Sequence, residues 1–429
     1  MRTIALILLS VVLTCCMMAA ESLNWTQRAE LTASSGGAGD QLGECAAISG
    51  NIVVLGAPQA AVGSNNQEGA AFVYVKPTNG WTDMTQVARL TPSDGQPAVH
   101  FGSSVAIDGN VIVVGEPFAK IGSHGNQGAL YVFVKPAGGW KDMTETAKLT
   151  ASDGQIFDEL GGSVAIRGNT IVGSAPFATI QSTGSAGAVY VFTKAKTGWK
   201  NETEHAKLTP SDPAFGGEMG YSVSFSGKTI AAGAPYFGTH KPGAAYVFVE
   251  PGGGWKDATQ TAKLTGSHAA NDDLLGFSIS IHGNTVVAGA PDENIGSNNE
   301  QGAAYIWVEP SSGWKNMRQT AKVTAFDGTG GNFLGYSVSL AGKTLATGAI
   351  GVTIGSNADQ GAVYLYTKPG RGWKTTSKFN GKLTASDGTA LAWFGNSVRI
   401  VNSTVVAGAP GQTIGGNSQQ GLGYVFEQQ

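Results

Sequence analysis

Cysteine is almost absent from this chain: three residues in 429, two of which, Cys15 and Cys16, fall inside the first twenty. Without that leader only Cys45 is left, so no intrachain disulfide can form. Charge is scarce as well, at 13% of residues with a net value of −3. Nucleic-acid binding needs a basic face to neutralise phosphates, and no Lys/Arg run supplies one. Beyond the leader no apolar stretch approaches the ~18 residues of a spanning helix, so no transmembrane segment is expected. The histidines (100, 124, 205, 240, 268 and 282) stand at unrelated places without metal-ligand spacing. Neither a metal nor another cofactor is expected.

Residues 1–20 read as a signal peptide. Arg2 gives a positive start, Ile4 to Val12 an apolar core, and Ala19-Ala20 a small-residue cleavage site. A lipoprotein acylated at Cys15 or Cys16 is the alternative, and the residues before them fit a lipobox poorly. The expected location is secreted and extracellular, or periplasmic or cell-surface in a bacterium.

Glycine is what the chain has in excess, with 63 residues, about twice the usual share. The glycines mark a repeat. Gly-Trp pairs end at Trp81, Trp140, Trp199, Trp255, Trp314 and Trp373, at intervals of 59, 59, 56, 59 and 59. Each is followed by a Lys-Leu-Thr-like triplet, an apolar-Gly pair with a short strand, an apolar run ending near Gly-Ala-Pro, and a Gly-Ala-x-Tyr-Val-Phe segment. Residues 21–429 thus form one domain of seven units, at about 24–81, 82–140, 141–199, 200–255, 256–314, 315–373 and 374–429. Each unit holds four short strands. Continuous apolar runs such as Thr285–Ala288 suit strands covered on both faces. A four-stranded sheet repeated at a fixed period describes a seven-bladed, all-β propeller.

An open solenoid would need polar capping repeats. Here the ends complement each other instead. The last unit stops at Glu427 without a Lys-Leu-Thr strand, and the mature N-terminus begins with one at Glu30-Leu31-Thr32. The N-terminal strand is therefore expected to complete the C-terminal blade and close the ring.

Phe101-Gly102 and Phe394-Gly395, alternating with Gly-Ala-Pro at Gly56–Pro58, Gly233–Pro235, Gly289–Pro291 and Gly408–Pro410, resemble the FG-GAP repeat of integrin α-subunit propellers. Leu42-Gly43, Leu160-Gly161, Met219-Gly220, Leu275-Gly276 and Leu334-Gly335 are degenerate versions. The recurring Lys-Leu-Thr-Ala-Ser-Asp-Gly phrase, at 148–154 and 382–388, resembles a secreted subgroup of such proteins. The resemblance implies a propeller and an extracellular location without a defined activity. Integrin-type repeats also carry an Asp/Asn-rich calcium loop. This chain has only tight turns there, such as Arg167-Gly168-Asn169, which cannot supply the roughly 6–8 oxygen ligands calcium takes. Folding is expected to be independent of calcium. The one residual cation candidate is Asp292, Glu293 and Glu300.

Gly-x-Ser-x, as at Gly220–Val223, returns in almost every unit, so it is structural and not a nucleophile elbow. Asp94, Asp153, Asp212, Asp327 and Asp387 follow the Lys-Leu-Thr strand, with Ser35 and His268 at the other two places; turn capping is the expectation. The Ile-Gly-Ser-Asn-Asn-x-Gln-Gly loops, at 295–302 for example, read as turn chemistry too. Asn24, Asn201 and Asn402 head glycosylation sequons, usable in a eukaryote. Turns joining the first to second and third to fourth strands are expected to be short, leaving the long, variable loops on one face.

Function is expected on that long-loop face, where binding usually resides on a rigid scaffold. Aromatics there are uneven. Phe118, Phe177 and Tyr236 follow the proline in three consecutive blades, with Phe237, Phe157 and Phe215 in the same sector. These six are the candidate ligand-binding residues. The leading expectation is a monomeric binding or adhesion scaffold for an extracellular protein or glycan, with no catalytic residues. The alternatives are a secreted hydrolase or lyase, or a purely structural envelope or matrix component.

Overall fold

A computed structural model describes residues 24–267 and 272–429. The expected signal peptide and His268 lie outside the described residues. No helix among the described residues is long and apolar enough to cross a membrane.

Seven antiparallel sheets form the blades of a propeller. Blade one comprises Cys45–Ser49, Ile52–Ala57, Ala70–Val75 and Ala88–Leu90, from the axis outwards. The seventh pairs Val398–Val401, Thr404–Ala409 and Leu422–Gln428 with the N-terminal strand Trp25–Thr32. Trp25 lies opposite Gln428 and Leu31 opposite Gly423, so the ring closes as the complementary ends require.

Alternation in the third strand sets the packing between blades. In blade three Tyr190 and Phe192 bury against Val113, Leu130 and Val132 of blade two. Val189 and Val191, on the opposite face, meet Ile230, Tyr246 and Phe248 of blade four. Each blade therefore has a thick aromatic face and a thin aliphatic one, and the thick face of one fills the thin face of its neighbour. Such close-packed apolar interfaces supply most of the stabilisation.

Thin faces also require glycine. A Cβ on Gly289 would collide with the carbonyl oxygen of Gly335 in the next blade and with the hydroxyl of Ser278. Blade three alone carries a side chain at this place, Ser174. There the facing Ser163 turns its hydroxyl to accept the Val223 amide at 3.0 Å. Ser278 instead donates to the Gly335 carbonyl at 2.7 Å. Gly289→Ala, lacking that compensation, is expected to cost about 1–3 kcal/mol of stability in a denaturant titration.

The third-to-fourth connection differs from the short turn expected. In blade one it spans residues 76–87, and within it Met84–Thr85 pairs in parallel with the outer strand of blade seven. Equivalent two-residue strands lie on blades two, three and four. Buried tryptophans such as Trp81 and Trp140 anchor these excursions. The side chains near each two-residue strand clamp the preceding blade. The Glu145 carboxylate accepts both the amide and hydroxyl of Ser93, and Glu204 does the same for Ser152. Gln27 accepts the Ser386 amide at 3.0 Å, which extends the pattern across the ring closure.

Candidate binding surface

The repeated aspartates do more than cap turns. Asp94 accepts the Tyr131 hydroxyl at 3.0 Å and the Lys148 ammonium at 2.7 Å. Asp153 does so with Tyr190 and Lys207, and Asp212 with Tyr246 and Lys263. Each carboxylate thus ties the segment entering a blade to that blade's third and fourth strands. Burial pushes the Asp94 and Asp153 carboxyls up. Hydrogen bonds and charge from lysine, with the tyrosine hydroxyl, outweigh it and hold both below their ordinary value. In blade five Glu293 takes the role, receiving Tyr305 at 3.0 Å and Lys322 at 2.7 Å. One oxygen of the Glu293 carboxylate is thereby bound into the scaffold. Asp292 is pushed up to about 6 by burial and by Glu300, Asp272 and Asp273. Among the described residues no group of three or more His, Cys, Asp or Glu is arranged to hold a metal.

Most long-loop residues serve the scaffold as well. In the 295–302 loop, Asn298 donates to the Gly328 carbonyl and Gln301 to the Ala325 carbonyl. Gln360 and Gln127 repeat the second bond in blades six and two. Blade three breaks this pattern. Ala186 stands in place of the strapping glutamine, Thr183 in place of Asn298, and Pro213 in place of the glycine that the glutamine packs on. The loop surface loses its polar straps here. A depression of about 350 Å³ opens, with Ile156, Phe157, Phe177 and Gly184 in its wall. Phe215 lies beside Gly184. Ile156, Phe157 and Phe215 are 52%, 63% and 85% exposed.

Of the six expected binding residues, Phe157, Phe177 and Phe215 thus gather at one depression. No ring contact joins Phe118, Phe177 and Tyr236 to one another among the described residues. Phe118 packs on His100, with ring centroids 4.9 Å apart. Tyr236 meets Tyr221, which continues through Phe277 to Tyr336 as an aromatic row across the inner ends of blades four to six. Phe237 turns inward against Tyr246, with the Lys263 ammonium 3.4 Å from its ring centroid. It packs against the interface core of blades three and four and does not join the exposed surface.

Sequence reasoning missed Ile156 and a carboxyl pair in the same sector. Glu159 is pushed up to about 7 by burial and by Glu218, and burial pushes Glu218 to about 7 against Lys241. Both stand just before the apolar-Gly pair of consecutive blades, a coincidence visible only when the repeats are laid over one another. The sequons are exposed: Asn24 donates to Gln429, Asn201 accepts the Lys148 amide, and Asn402 sits in a hairpin turn. Cys45 donates its thiol to the Gly102 carbonyl, and burial pushes it up to about 12, so it is unreactive.

A ring of seven such units is an FG-GAP propeller. The FG-GAP repeat model matches residues 25–74, 84–133, 143–192, 203–248, 258–307, 317–366 and 378–426, and the chain belongs to that family. No curated protein matches it. In fold it is similar to the solved WD40 beta propeller domain of Doa1. The TM-score is 0.52 at 10% identity, covering 95% of this chain and 98% of that one. At that identity the likeness concerns the propeller fold alone.

Proposed function

We propose that the chain is a secreted, monomeric binding scaffold that engages an extracellular protein or glycan through its long-loop face. The observation that carries this reading is the depression of blade three, where exposed aromatics stand beside Asp158 and Glu159. Exposed aromatics clustered around a concave site often mark an interaction surface. They occur where the glutamine strap of blades two, five and six is missing. Glu159 and Glu218 lie in the same sector. Held near 7, they are partly protonated at neutral pH and can donate as well as accept hydrogen bonds.

The test is a triple replacement, Phe157→Ala with Phe177→Ala and Phe215→Ala, assayed by glycan array and by pull-down from extracellular extract. Each aromatic anchor is expected to contribute roughly 1–3 kcal/mol to binding, so capture should fall by orders of magnitude. Melting should change little, because Phe157 and Phe215 are exposed and Phe177 is only partly buried. A folded triple mutant that captures its partner undiminished would overturn the assignment. The Glu159–Glu218 pair favours a second reading, a hydrolase or lyase. On that reading Glu159→Gln removes turnover and leaves capture intact.

A further inference from the structure

We propose that the central channel binds a small oxyanion, a carboxylate or sulfate group, on Arg399. The innermost strands of the seven blades place one residue each at the same level of the channel wall. Blades one to three supply Ala47, Ala106 and Ala165. Blades four to six supply Ser224, Ser280 and Ser339, and blade seven supplies Arg399. All seven line one cavity of about 630 Å³, which reaches from the hairpin turns at Gly50, Gly342 and Asn402 inward to Val105 and Ile279.

Arg399 is not needed to fill space there, since six blades do so with alanine or serine. Its guanidinium donates from Nη1 to the Val398 carbonyl at 2.9 Å. Among the described residues no carboxylate lies within ion-pair distance of it, Glu44, just before the adjoining strand, included. The ionisable group that does act on it, Cys45, is a neutral thiol. Asp108, Arg167 and His282 also line the cavity, and the Asp108 carboxylate accepts the Gly168 amide. A partly buried cation without a counter-charge is costly, and an anion in the channel relieves that cost.

The neighbouring hydroxyls are poised to help. Ser224, Ser280 and Ser339 each accept a backbone amide of the next blade, from Ile281, Leu340 and Ile400. Each hydroxyl oxygen is thereby held in place and its hydrogen is left to donate. The channel wall is consequently two-sided. One arc carries three hydroxyls and a guanidinium fork, whose geometry matches two oxygens of one anion. The facing arc carries three methyl groups. A carboxylate with a short apolar flank fits both arcs. The site lies at the opposite end of the blades from the long loops, so it stands whether or not those loops bind a partner.

The experiment is isothermal titration of the full chain with sodium octanoate and, separately, sodium sulfate, at ionic strength matched with chloride. Arg399→Ala gives the position the residue that three blades already carry, so it should fold; Arg399→Lys keeps the charge and loses the fork. Octanoate is expected to bind wild-type protein, at least about tenfold more weakly in Arg399→Ala, with Arg399→Lys between. Saturation by octanoate alone identifies a carboxylate with an apolar flank, and saturation by both identifies an oxyanion site without that selectivity. Sulfate alone would assign the site to inorganic oxyanions. Absence of saturable heat with either probe, or equal binding to Arg399→Ala, would overturn the proposal.

Discussion

Deleting residues 24–32 is expected to lower the melting temperature by roughly 10 °C or more, or to produce aggregate in place of folded protein. The strand Trp25–Thr32 is the outer strand of blade seven, paired along most of its length with Leu422–Gln428. Ala29 and Leu31 are fully buried in the core that joins blades seven and one. Its loss also removes the partner of Met84–Thr85, the clamp from Gln27 to Ser386, and the ion pair from Arg28 to Glu427. What is left is a C-terminal strand with a free edge and uncovered apolar side chains, the arrangement that invites pairing between molecules. A single replacement, Leu31→Asp, should act in the same direction by burying an unpaired charge. Scanning calorimetry with light scattering measures both results. An unchanged transition after deletion would mean that the ring holds without its closing strand.

Stability is expected to fall as the pH rises from about 5 to 9, and Glu116→Gln should remove its share of that decline, to which Glu159, Glu218 and Asp292, also held above their ordinary values, contribute as well. Six blades place alanine, such as Ala57 or Ala175, where blade two has Glu116. The carboxyl is buried within hydrogen-bond distance of the Tyr131 hydroxyl, whose single proton can go to Asp94 while the protonated Glu116 donates to the tyrosine oxygen. Burial pushes Glu116 from an ordinary 4.5 up to about 8, and the hydrogen bond with Tyr131 and the charge of Lys148 only partly offset this. The folded protein therefore binds this proton more tightly than the unfolded chain does. The stabilisation is complete below about 4.5 and is lost as the pH rises through about 8. Each tenfold gain in proton affinity on folding corresponds to roughly 1.4 kcal/mol, which makes the loss on the order of a few kcal/mol. Asp94 and Asp153 act with the opposite sign: held below their ordinary value, they stabilise above the carboxylate range and cease to do so in acid. The maximum should therefore fall at mildly acidic pH. Urea titrations of both proteins across this range decide the matter, and parallel pH profiles would refute the role given to Glu116.

Seven units, four-stranded blades and closure of the ring were all legible in the sequence, because each rests on local spacing and on the chain ends. The Asp–Tyr–Lys ties were not read, although their signal was present. In blade one all three members change together, to Ser35, Phe72 and Arg89. Such coupled change reports contact between residues that single positions, read one at a time, present as turn chemistry. The excursion through Met84–Thr85 escaped notice for a related reason: two residues carry too little pattern to announce a strand. Phe157 and Phe215 were legible as aromatics of the loop face. Phe237 packs against Tyr246 while its neighbour in sequence, Tyr236, packs against Tyr221, and the chain direction alone does not say which of the two turns which way. Arg399 was overlooked because an arginine in a strand attracts no attention until the six residues at its level are set beside it.

The interlocking of thick and thin faces has a consequence for how the molecule comes apart. In a linear repeat array the terminal unit contacts one neighbour and frays first, and opening creeps inward from there. Here every blade is gripped on both sides, and even blade seven is bound to blade one through Ser397, which donates to the Gly43 carbonyl at 2.8 Å. Releasing any blade breaks two apolar interfaces at once, so no cheap first step exists. Core amides should therefore exchange with solvent only through global opening, and proteases should meet all-or-none resistance, with loop tips cut long before any blade is lost.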